Sequence, residues 1–212
     1  MIVYLIMAVI AYAIGSINFS VIFSRKFAGF DVREKGSGNA GTTNMLRSFG
    51  KKAAAITLVC DILKGVVSIL IALLISNFKE GSNGALLVQI AAICVVIGHT
   101  YPIFFEFRGG KGVATSLGIL LLVNWQVGLI CLMFALIIMA LTRMVSLGSI
   151  MAAILYPVLI IFGVGSSFFI VGGNYVVFSI LLAIIVVFNH RANVKRIMEG
   201  KENRLSFSKE NK

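Results

Sequence analysis

The chain has 212 residues, of which 59% are hydrophobic and only 13% charged, with a formal net charge of +11 and a mean hydropathy of +1.00. This composition lies far outside that of soluble globular domains, so most of the solvent around the chain must be lipid. A helix needs roughly 20 apolar residues to cross a bilayer core of about 30 Å, which leaves room for six or seven spans, and we treat residues 1–212 as one membrane domain without a second soluble part.

Six apolar runs follow one another along the chain. They cover residues 2–24, 53–76, 85–107, 113–142, 147–171 and 174–189. The first run has neither a basic segment before it nor an A-x-A site after it, so we expect an uncleaved first span. The fourth run would make a straight helix of roughly 45 Å, longer than the bilayer core is thick. Because Asn124, Trp125 and Gln126 interrupt this run, we predict two spans there, the first of them short.

The positions of lysine and arginine favour seven spans over six. With seven spans the N-terminus is outside, the C-terminus is cytoplasmic, and the basic segments at 25–52, 108–111 and 191–212 all face the cytoplasm. Only Lys79 then falls outside. The net positive charge is explained by membrane orientation and anionic headgroups, and we expect no nucleic-acid partner. The sequence therefore predicts an all-α integral membrane protein of seven transmembrane helices, with a basic tail that forms a short surface helix and a frayed end.

The first polar cluster has the composition of a phosphate cradle. It reads Gly36-Ser37-Gly38-Asn39-Ala40-Gly41-Thr42-Thr43-Asn44 and is followed by Arg47. The glycines free the backbone to turn its N–H groups toward an anion, and the hydroxyls and amides add neutral donors. A helix that starts near Thr42 places Arg47 one turn beyond Thr43, where its guanidinium can close on phosphate oxygens. A simple turn is the alternative, and neither nucleotide-binding glycine pattern is matched.

The second polar cluster predicts a further anion site at the membrane boundary. It reads Gly98-His99-Thr100-Tyr101-Pro102 and then Phe107-Arg108-Gly109-Gly110-Lys111-Gly112-Val113-Ala114-Thr115. We expect the third span to end in Arg108, with a diglycine turn, Lys111 and a new helix start after it. A tight helix hairpin with positive-inside residues is the alternative. His99 lies about two turns inside the expected span, where a lone histidine is more often a packing group than a ligand.

The third polar cluster begins at the end of the last apolar run. It reads Asn189-His190-Arg191-Ala192-Asn193-Val194-Lys195-Arg196, then Glu199-Gly200-Lys201-Glu202. His190, Asn193 and Arg196 share one helix face, so they present a proton carrier, an amide and a cation together, unless this is only a solvated basic helix. Ser146 and Ser149 can add hydroxyls to the same pocket, although most serines at helix turns are caps. Asp61 and Lys64 are expected to pair and to be mainly structural.

Cysteine spacing gives no sign of a metal or disulfide site. Cys60, Cys94 and Cys131 stand alone in apolar runs, so the sequence predicts no metal and no cofactor. The three clusters that could bind an anion are expected on one face of a small helical bundle that has almost no polar domain outside the membrane. The simplest interpretation is that they form one shared site.

The three clusters together resemble the bacterial acyl-phosphate glycerol-3-phosphate acyltransferases known as PlsY. The likeness is carried by GSGNAGTTNMLR from Gly36, GHTYPIFFEFRGGKGVAT from Gly98 and HRANVKRIMEGKE from His190, and runs nearly end to end. It implies a seven-helix fold in the bacterial cytoplasmic membrane, with an active site that faces the cytoplasm. It also implies acyl transfer from acyl phosphate to glycerol 3-phosphate, which gives lysophosphatidic acid.

The same resemblance assigns roles to individual residues. Ser37, Arg47, His190 and Asn193 correspond to residues that family members need for activity, and the glycines around Lys111 to the glycerol 3-phosphate site. Together with the reading of the clusters, we predict substrate-binding roles for Gly36, Gly38, Asn39, Thr43, Asn44, Arg108, Gly109, Gly110, Lys111, Gly112 and Ser146. Substrates and membrane lipids are the expected partners, and the sequence does not indicate an oligomeric state.

The mechanism leaves alternatives open. The proton of the acceptor hydroxyl goes either to the departing phosphate or to His190, and an acyl-enzyme through Ser37 lacks a visible carboxylate that would orient a base. A transporter of an organic phosphate or an anionic lipid is the rival function, although no internal repeat is apparent.

Overall fold

The computed structural model describes residues 1–78, 81–166 and 169–205, and every regular element in these ranges is helical. The α-helices are α1 (Ile2–Gly15), α2 (Phe19–Ala28), α3 (Thr42–Phe78), α4 (Gly84–Thr100), α5 (Val113–Val123), α6 (Trp125–Thr142), α7 (Val145–Ile161), α8 (Val176–Asn189) and α9 (Arg191–Met198). Short 3₁₀ turns at Val32–Glu34 and Ile103–Phe105 lie in the loops after α2 and α4. The predicted all-α class is confirmed.

Length and hydropathy identify four candidate membrane spans in the described ranges. They are Ile2–Ala28, Thr42–Phe78, Gly84–Phe105 and Trp125–Thr142. A fifth results if α8 and α9, which bend by 60° at their junction, count as one broken span, whereas α5 and α7 are apolar but shorter. The seven-span count and its orientation therefore stay predictions. Lys79, the residue expected on the outer side, lies outside the described residues.

The first apolar run contains two helices rather than one. α1 ends at Gly15 and α2 begins at Phe19, so the span expected over residues 2–24 is interrupted. Asn18 starts the second helix, because its side-chain oxygen accepts a hydrogen bond from the N–H of Val21 at 3.2 Å. This is the cap that an asparagine supplies to the free N–H groups of a helix start. Hydropathy alone does not register such a break.

The long fourth run splits at Asn124, as predicted. The Asn124 side chain accepts from the N–H of Val127 at 3.2 Å and thereby caps α6. At Gly128 a methyl group would come within 2.9 Å of the Leu121 backbone nitrogen, so α6 folds back directly against α5. With only 11 residues, α5 is the short member of this pair, as expected.

The third span ends earlier than its apolar run. The sequence predicts a span that reaches Arg108, but α4 ends at Thr100. Pro102 disfavours helical geometry in the residue before it, and the chain then folds back until the N–H of Gly109 donates to the Thr100 carbonyl at 3.0 Å. His99, expected about two turns inside the span, lies in the last turn of α4, and the candidate span continues beyond it to Phe105.

Small residues allow α1 and α4 to approach each other closely. A methyl group on Gly15 would collide with the Val95 carbonyl, and one on Gly98 would collide with the Tyr12 carbonyl. Backbone thus meets backbone, which is how helices pack in lipid where small residues line the interface. The contact fixes the end of α4, from which the second polar cluster continues.

The loops that carry the three polar clusters meet at one end of the bundle. Arg33, before the first cluster, donates to the Phe105 carbonyl at 2.8 Å, and Lys111 in the second cluster donates to Asn193 in the third. The tail forms the expected short helix, α9, but continues along the bundle, where the N–H of Leu205 donates to the Arg143 carbonyl at 2.7 Å. The expected frayed end, from residue 206 onward, lies outside the described residues.

Candidate active site

A cavity of about 370 Å³ opens at the end of the bundle where the clusters meet. Its polar end is lined by Ser37, Asn39, Thr43, Asn44, Arg47, Lys111, Gly112, Ser146, His190, Asn193, Arg196 and Glu202. A smaller cavity of about 220 Å³ adjoins it, and Ser37, Gly38 and Asn39 face Asn193 and Arg196 across it. The three motifs thus form one site, as the sequence predicts.

The first loop is held in place by Asn44. Its side-chain oxygen accepts from the N–H of Ser37 at 2.9 Å, and its amide donates to the carbonyls of Val32 and Lys35 at 2.9 and 3.0 Å. These bonds use both N–H donors of the Asn44 amide, so Asn44 shapes the loop, and its predicted contact with substrate, where it lines the cavity, is limited to the side-chain oxygen. Gly36, with φ of 59°, packs against Asn44 so closely that a methyl group would collide with the amide oxygen.

Arg47 presents a free cation to the cavity. α3 begins at Thr42, as predicted, and its first turns carry Arg47 to the cavity wall. Within the described residues the Arg47 guanidinium forms no ion pair with a carboxylate. Its planar set of donors therefore remains open for an anion.

Lys111 lies where the second and third clusters meet. Its ammonium donates to Oδ1 of Asn193, and the first residues of α5, from Gly112 to Ala114, line the cavity beside it. Burial, reinforced by the nearby charge of Arg196, lowers the pKa of Lys111 to about 8. The N–H groups at the start of α5 have no acceptor within the helix, so this corner offers both a cation and a helix N-terminus.

The diglycine turn has a different role from the one its sequence suggests. The N–H groups of Gly109 and Gly110 donate to the carbonyls of Thr100 and His99 at 3.0 and 3.1 Å, and neither glycine lines the cavity. They close the end of α4 and are not free for an anion. Arg108 is exposed and also absent from both cavity walls. The structure therefore does not bring these three predicted binding residues to the site.

Glu202 joins the start of α7 to α9, and little in the sequence marked it as a residue of the site. Its Oε1 accepts from Ser146 at 2.9 Å and from Asn193 at 2.8 Å, and its Oε2 accepts from Arg196 at 2.9 Å. Burial by itself raises the pKa of Glu202, but these three hydrogen bonds outweigh burial and hold the pKa below its ordinary value. The only indication in the sequence was that Glu202 is the last residue of the third motif, which begins at His190.

His190 is oriented with one ring nitrogen toward the backbone. Its Nδ1 lies 2.7 Å from the Val186 carbonyl, and because a carbonyl only accepts, Nδ1 carries the proton. Nε2 then holds the lone pair of the neutral ring. Burial and the charge of Lys111 lower the pKa of His190 to about 4, so the ring is neutral near pH 7. His190, Asn193 and Arg196 all line the same cavity, which confirms the expected shared face.

The two serines at the start of α7 differ in their bonding. Ser146 donates to Glu202, whereas the hydroxyl of Ser149 donates to the Val145 carbonyl within its own helix at 2.9 Å. Both line the cavity, and neither side chain caps α7, so the pocket position is favoured over the alternative of helix caps.

The remainder of the cavity is apolar and extends between the helices. Its walls include Leu58, Leu117, Leu120, Cys131, Leu132, Ala135, Leu136, Met139, Ala152, Ala153, Tyr156, Leu182, Ala183 and Val186. One cavity therefore combines a cationic head with a hydrocarbon-lined extension. Among the described residues, no three His, Cys, Asp or Glu side chains gather in the manner of metal ligands.

Comparison with known proteins agrees with this geometry. Residues 5–200 match the family described as glycerol-3-phosphate acyltransferase.

The chain belongs to the glycerol-3-phosphate acyltransferase family.

The glycerol-3-phosphate acyltransferase of Clostridioides difficile (strain 630) is 42% identical over 207 residues, which cover 98% of each chain. That of Thermoanaerobacter sp. (strain X514) is 43% identical over 198 residues, 93% of each chain. That of Neisseria meningitidis serogroup B (strain ATCC BAA-335 / MC58) is 38% identical over 200 residues, 94% of this chain and 96% of its own.

Two crystal structures of PlsY (YgiH), an integral membrane glycerol 3-phosphate acyltransferase, share the fold. Its glycerol 3-phosphate form has a TM-score of 0.81 and 35% identity, with 96% of both chains covered. Its lysophosphatidic acid form has a TM-score of 0.79 and 33% identity, covering 96% of this chain and 95% of that one. The resemblance to the PlsY family that the motifs indicate is confirmed, and the chain is a multi-pass membrane protein of this acyltransferase family.

Proposed function

We propose that this acyltransferase moves a fatty acyl group from acyl phosphate to the sn-1 hydroxyl of glycerol 3-phosphate. The observation that carries the proposal is a single cavity whose cationic head continues into an apolar extension. The hydroxyl oxygen bonds to the acyl carbonyl carbon, the bond from that carbon to the phosphate oxygen breaks, and the hydroxyl proton passes to the departing phosphate, either directly or by way of Nε2 of His190. The products are lysophosphatidic acid and inorganic phosphate.

The charges at the polar end suit two phosphate groups. Arg47, Lys111 and Arg196 line the cavity there, and Glu202 offsets part of their charge. Among these, Arg47 and Lys111 have no carboxylate partner within the described residues. We assign the two phosphates to Arg47, Lys111 and the start of α5, where a cation and helix N–H groups act together. Ser37 and Asn39 on the first loop and Thr43 at the start of α3 add neutral donors.

The apolar extension suits the acyl tail of the donor. Two of its lining residues, Leu58 on α3 and Leu136 on α6, are 36% and 48% exposed. We infer that the cavity opens to the lipid between these two residues. We infer that the tail enters laterally there, so that a donor dissolved in the bilayer does not have to cross water.

Acyl phosphate is a mixed anhydride with a good leaving group, so orientation and charge stabilisation carry most of the catalysis. His190 offers Nε2 as an acceptor for the hydroxyl proton, while its lowered pKa makes it a weak base. The departing phosphate is the alternative acceptor, and the low pKa favours it. In either case His190 and Asn193 direct the hydroxyl toward the carbonyl.

An acyl-enzyme at Ser37 receives no support from the surroundings of its hydroxyl. Within the described part of the chain, the Ser37 hydroxyl forms no hydrogen bond with a histidine or a carboxylate that would activate it. Trapping of a covalent acyl-serine after donor addition in the absence of glycerol 3-phosphate would contradict direct transfer.

The proposed setting is the bacterial cytoplasmic membrane, with seven spans and the site facing the cytoplasm. Three cationic residues, Arg47, Lys111 and Arg196, line the cavity, and their position there supports a positive-inside orientation of this end of the bundle. Cysteine accessibility in sealed cells tests this: a cysteine at Lys195 should react only after permeabilisation, and one at Gly81 should react before it.

The deciding experiment supplies the purified protein in lipid with glycerol 3-phosphate and either palmitoyl phosphate or palmitoyl-CoA. We expect lysophosphatidic acid and inorganic phosphate from palmitoyl phosphate alone, with activity retained in the presence of a chelator. Product only from palmitoyl-CoA would contradict the proposed donor. A folded protein that leaves its substrates covalently unchanged would favour the transporter instead.

A further inference from the structure

A buried charged cluster lies directly beneath the polar end of the cavity. It consists of Asp61 and Lys64 on α3 and His99 on α4, which are 1%, 4% and 3% exposed. Lys64 Nζ lies 2.9 Å from Asp61 Oδ1, as the sequence predicts, and His99 Nδ1 lies 3.5 Å from the same oxygen. The proposed reaction uses none of the three directly.

Lys64 is engaged entirely in holding helices together. Besides Asp61, its ammonium donates to the carbonyls of Gly15 and Ile17, both at 3.1 Å. These carbonyls lie at the break between α1 and α2, where no helical N–H is available to them. Two of the three ammonium donors are thus bonded to backbone carbonyls, and the ammonium is also ion-paired with Asp61.

His99 supports the loop that carries Lys111. Its carbonyl accepts from the N–H of Gly110 at 3.1 Å, and its ring lies against Gly110, where a methyl group would collide with Nε2. The next residue is Lys111. A continuous series of contacts therefore runs from the α1–α2 break through Lys64, Asp61 and His99 to the residue that donates to Asn193.

Asp61 and His99 also line the cavity, where the polar end gives way to the apolar extension. Burying such a pair costs several kcal/mol before the charges attract each other, and apolar residues of similar size often replace a buried pair without loss of stability. A contribution to folding stability therefore does not by itself explain why these three side chains are buried here. Their contact with the loop that carries Lys111 offers a more specific explanation.

We propose that Asp61, Lys64 and His99 form a positioning unit that fixes Lys111 at the height and angle at which it meets the substrate phosphate. The proposal rests on the proposed function only in naming the substrate. The position of Lys111 itself can be measured without any turnover.

Asp61→Asn tests the unit, since it keeps the shape of the side chain and removes its charge. We expect the KM for glycerol 3-phosphate to rise about 10- to 100-fold, in line with the penalty for a misplaced group of roughly 1 Å, with a smaller fall in kcat. Ile69→Ala is the matched control, because Ile69 is a fully buried residue about two turns beyond Asp61 on α3 that does not line the cavity. It should lose thermal stability and keep the parental KM.

The rate at which acetic anhydride acetylates Lys111 across pH, followed by mass spectrometry, reports its surroundings in the absence of any substrate. Burial lowers the pKa of Lys111 most, and the charged groups that act on it are Arg196, Glu202 and Arg47, whereas Asp61 is not among them. A shift of the Lys111 titration toward higher pH in Asp61→Asn, absent in Ile69→Ala, therefore means that Lys111 has moved toward water.

His99→Leu provides a second variant if Asp61→Asn does not fold, and the same rise in KM and the same titration shift are expected. Parental KM and parental titration in either folded variant would overturn the proposal, as would changes no larger than those of Ile69→Ala at equal thermal stability. If the unmodified protein itself transferred no acyl group, the proposed function would be refuted. The titration of Lys111 in the two variants would still test whether the cluster positions Lys111.

Discussion

The Lys111 ammonium donates a hydrogen bond to Oδ1 of Asn193, and so joins the loop before α5 to helix α9. The two residues are distant in sequence and belong to different motifs. Through Asn193 the bond continues to Glu202, which accepts from the amide nitrogen at 2.8 Å. The second and third motifs therefore act as one unit at the head of the cavity.

Alkaline pH should weaken substrate binding through Lys111. Its pKa is about 8, so the ammonium is charged below that value and loses its proton as the pH rises through it. We expect kcat/KM to fall by about tenfold per pH unit above pH 8. In Lys111→Arg the fall should vanish because a guanidinium stays protonated, although binding at neutral pH will be weaker. An identical alkaline fall in Lys111→Arg would assign it to another group.

Acid pH should affect His190 only far below neutrality. Its pKa is lowered to about 4, so the neutral ring with its free Nε2 persists as the pH falls from 7 to about 5. We expect kcat/KM to show no loss from this residue in that range. The ring titration, followed by NMR in protein with labelled histidine, should likewise lie near 4. A transition of His190 near its ordinary value would contradict the buried, carbonyl-bonded geometry.

His190→Ala separates the two routes for the proton. If the departing phosphate accepts it, the variant should lose binding and retain a measurable kcat. A loss of roughly 10²- to 10⁴-fold in kcat with an unchanged dissociation constant for glycerol 3-phosphate would instead make His190 the base.

Glu202→Gln should damage the site out of proportion to the size of the change. Glu202 accepts hydrogen bonds from Ser146, Asn193 and Arg196, and bonds to a charged acceptor are worth about 1.5–3 kcal/mol each. We expect a loss of kcat/KM of about tenfold or more and a lower melting temperature. Glu199→Gln is the control, since its contacts to Lys195 and Lys201 are long, at 4.0 and 3.9 Å, and on the surface.

The same carboxylate gives a pH dependence of stability with a definite sign. The pKa of Glu202 is lower in the folded chain than its ordinary value, so its contribution is present above the ordinary value and is lost as the pH falls through the folded one. The melting temperature of the parent should therefore fall more steeply in acid than that of Glu202→Gln. Parallel curves would contradict the hydrogen-bonded carboxylate.

Gly110→Ala should impair both packing and activity. The added methyl group would collide with the His99 ring and lie 3.0 Å from the Ala40 carbonyl. Forcing such a group into a packed site typically costs about 1–3 kcal/mol. Gly172→Ala is the matched control, because a methyl group there meets nothing within 4 Å. Parental activity and melting temperature in Gly110→Ala would mean that the Lys111 loop is not held against His99.

Tyr156 should limit the length of the acyl chain. It is 3% exposed, lines the apolar extension, and its ring packs edge-on against Phe178 at 6.3 Å. One methylene in an apolar pocket is worth about 1–3 kcal/mol, so Tyr156→Val should shift the preference toward longer acyl phosphates by about tenfold or more. Competition between donors of different length measures this. Phe162→Val, which changes a 79% exposed aromatic residue outside the cavity, should leave the profile unchanged.

Much of the local structure could be predicted from the sequence because it depends on neighbours in the chain. The helix start at Thr42, the break at Asn124 and the Asp61–Lys64 pair follow from capping and from helical spacing. The early end of α4 and the break after Gly15 were missed, since hydropathy stays high across both. The convergence of the three motifs followed from their placement on one side of a bundle.

The sequence by itself determined the class of the protein, the position of its polar clusters and the residue types available to a phosphate. Only the tertiary structure decided which of those groups are free. Asn44, Gly109 and Gly110 use their donors on nearby backbone carbonyls, whereas Arg47 keeps its guanidinium open, and Glu202 receives three partners from two helices, α7 and α9. Hydropathy and capping act between residues close in the chain, but a hydrogen bond is formed by whichever group lies within about 3 Å, and that depends on how distant helices pack.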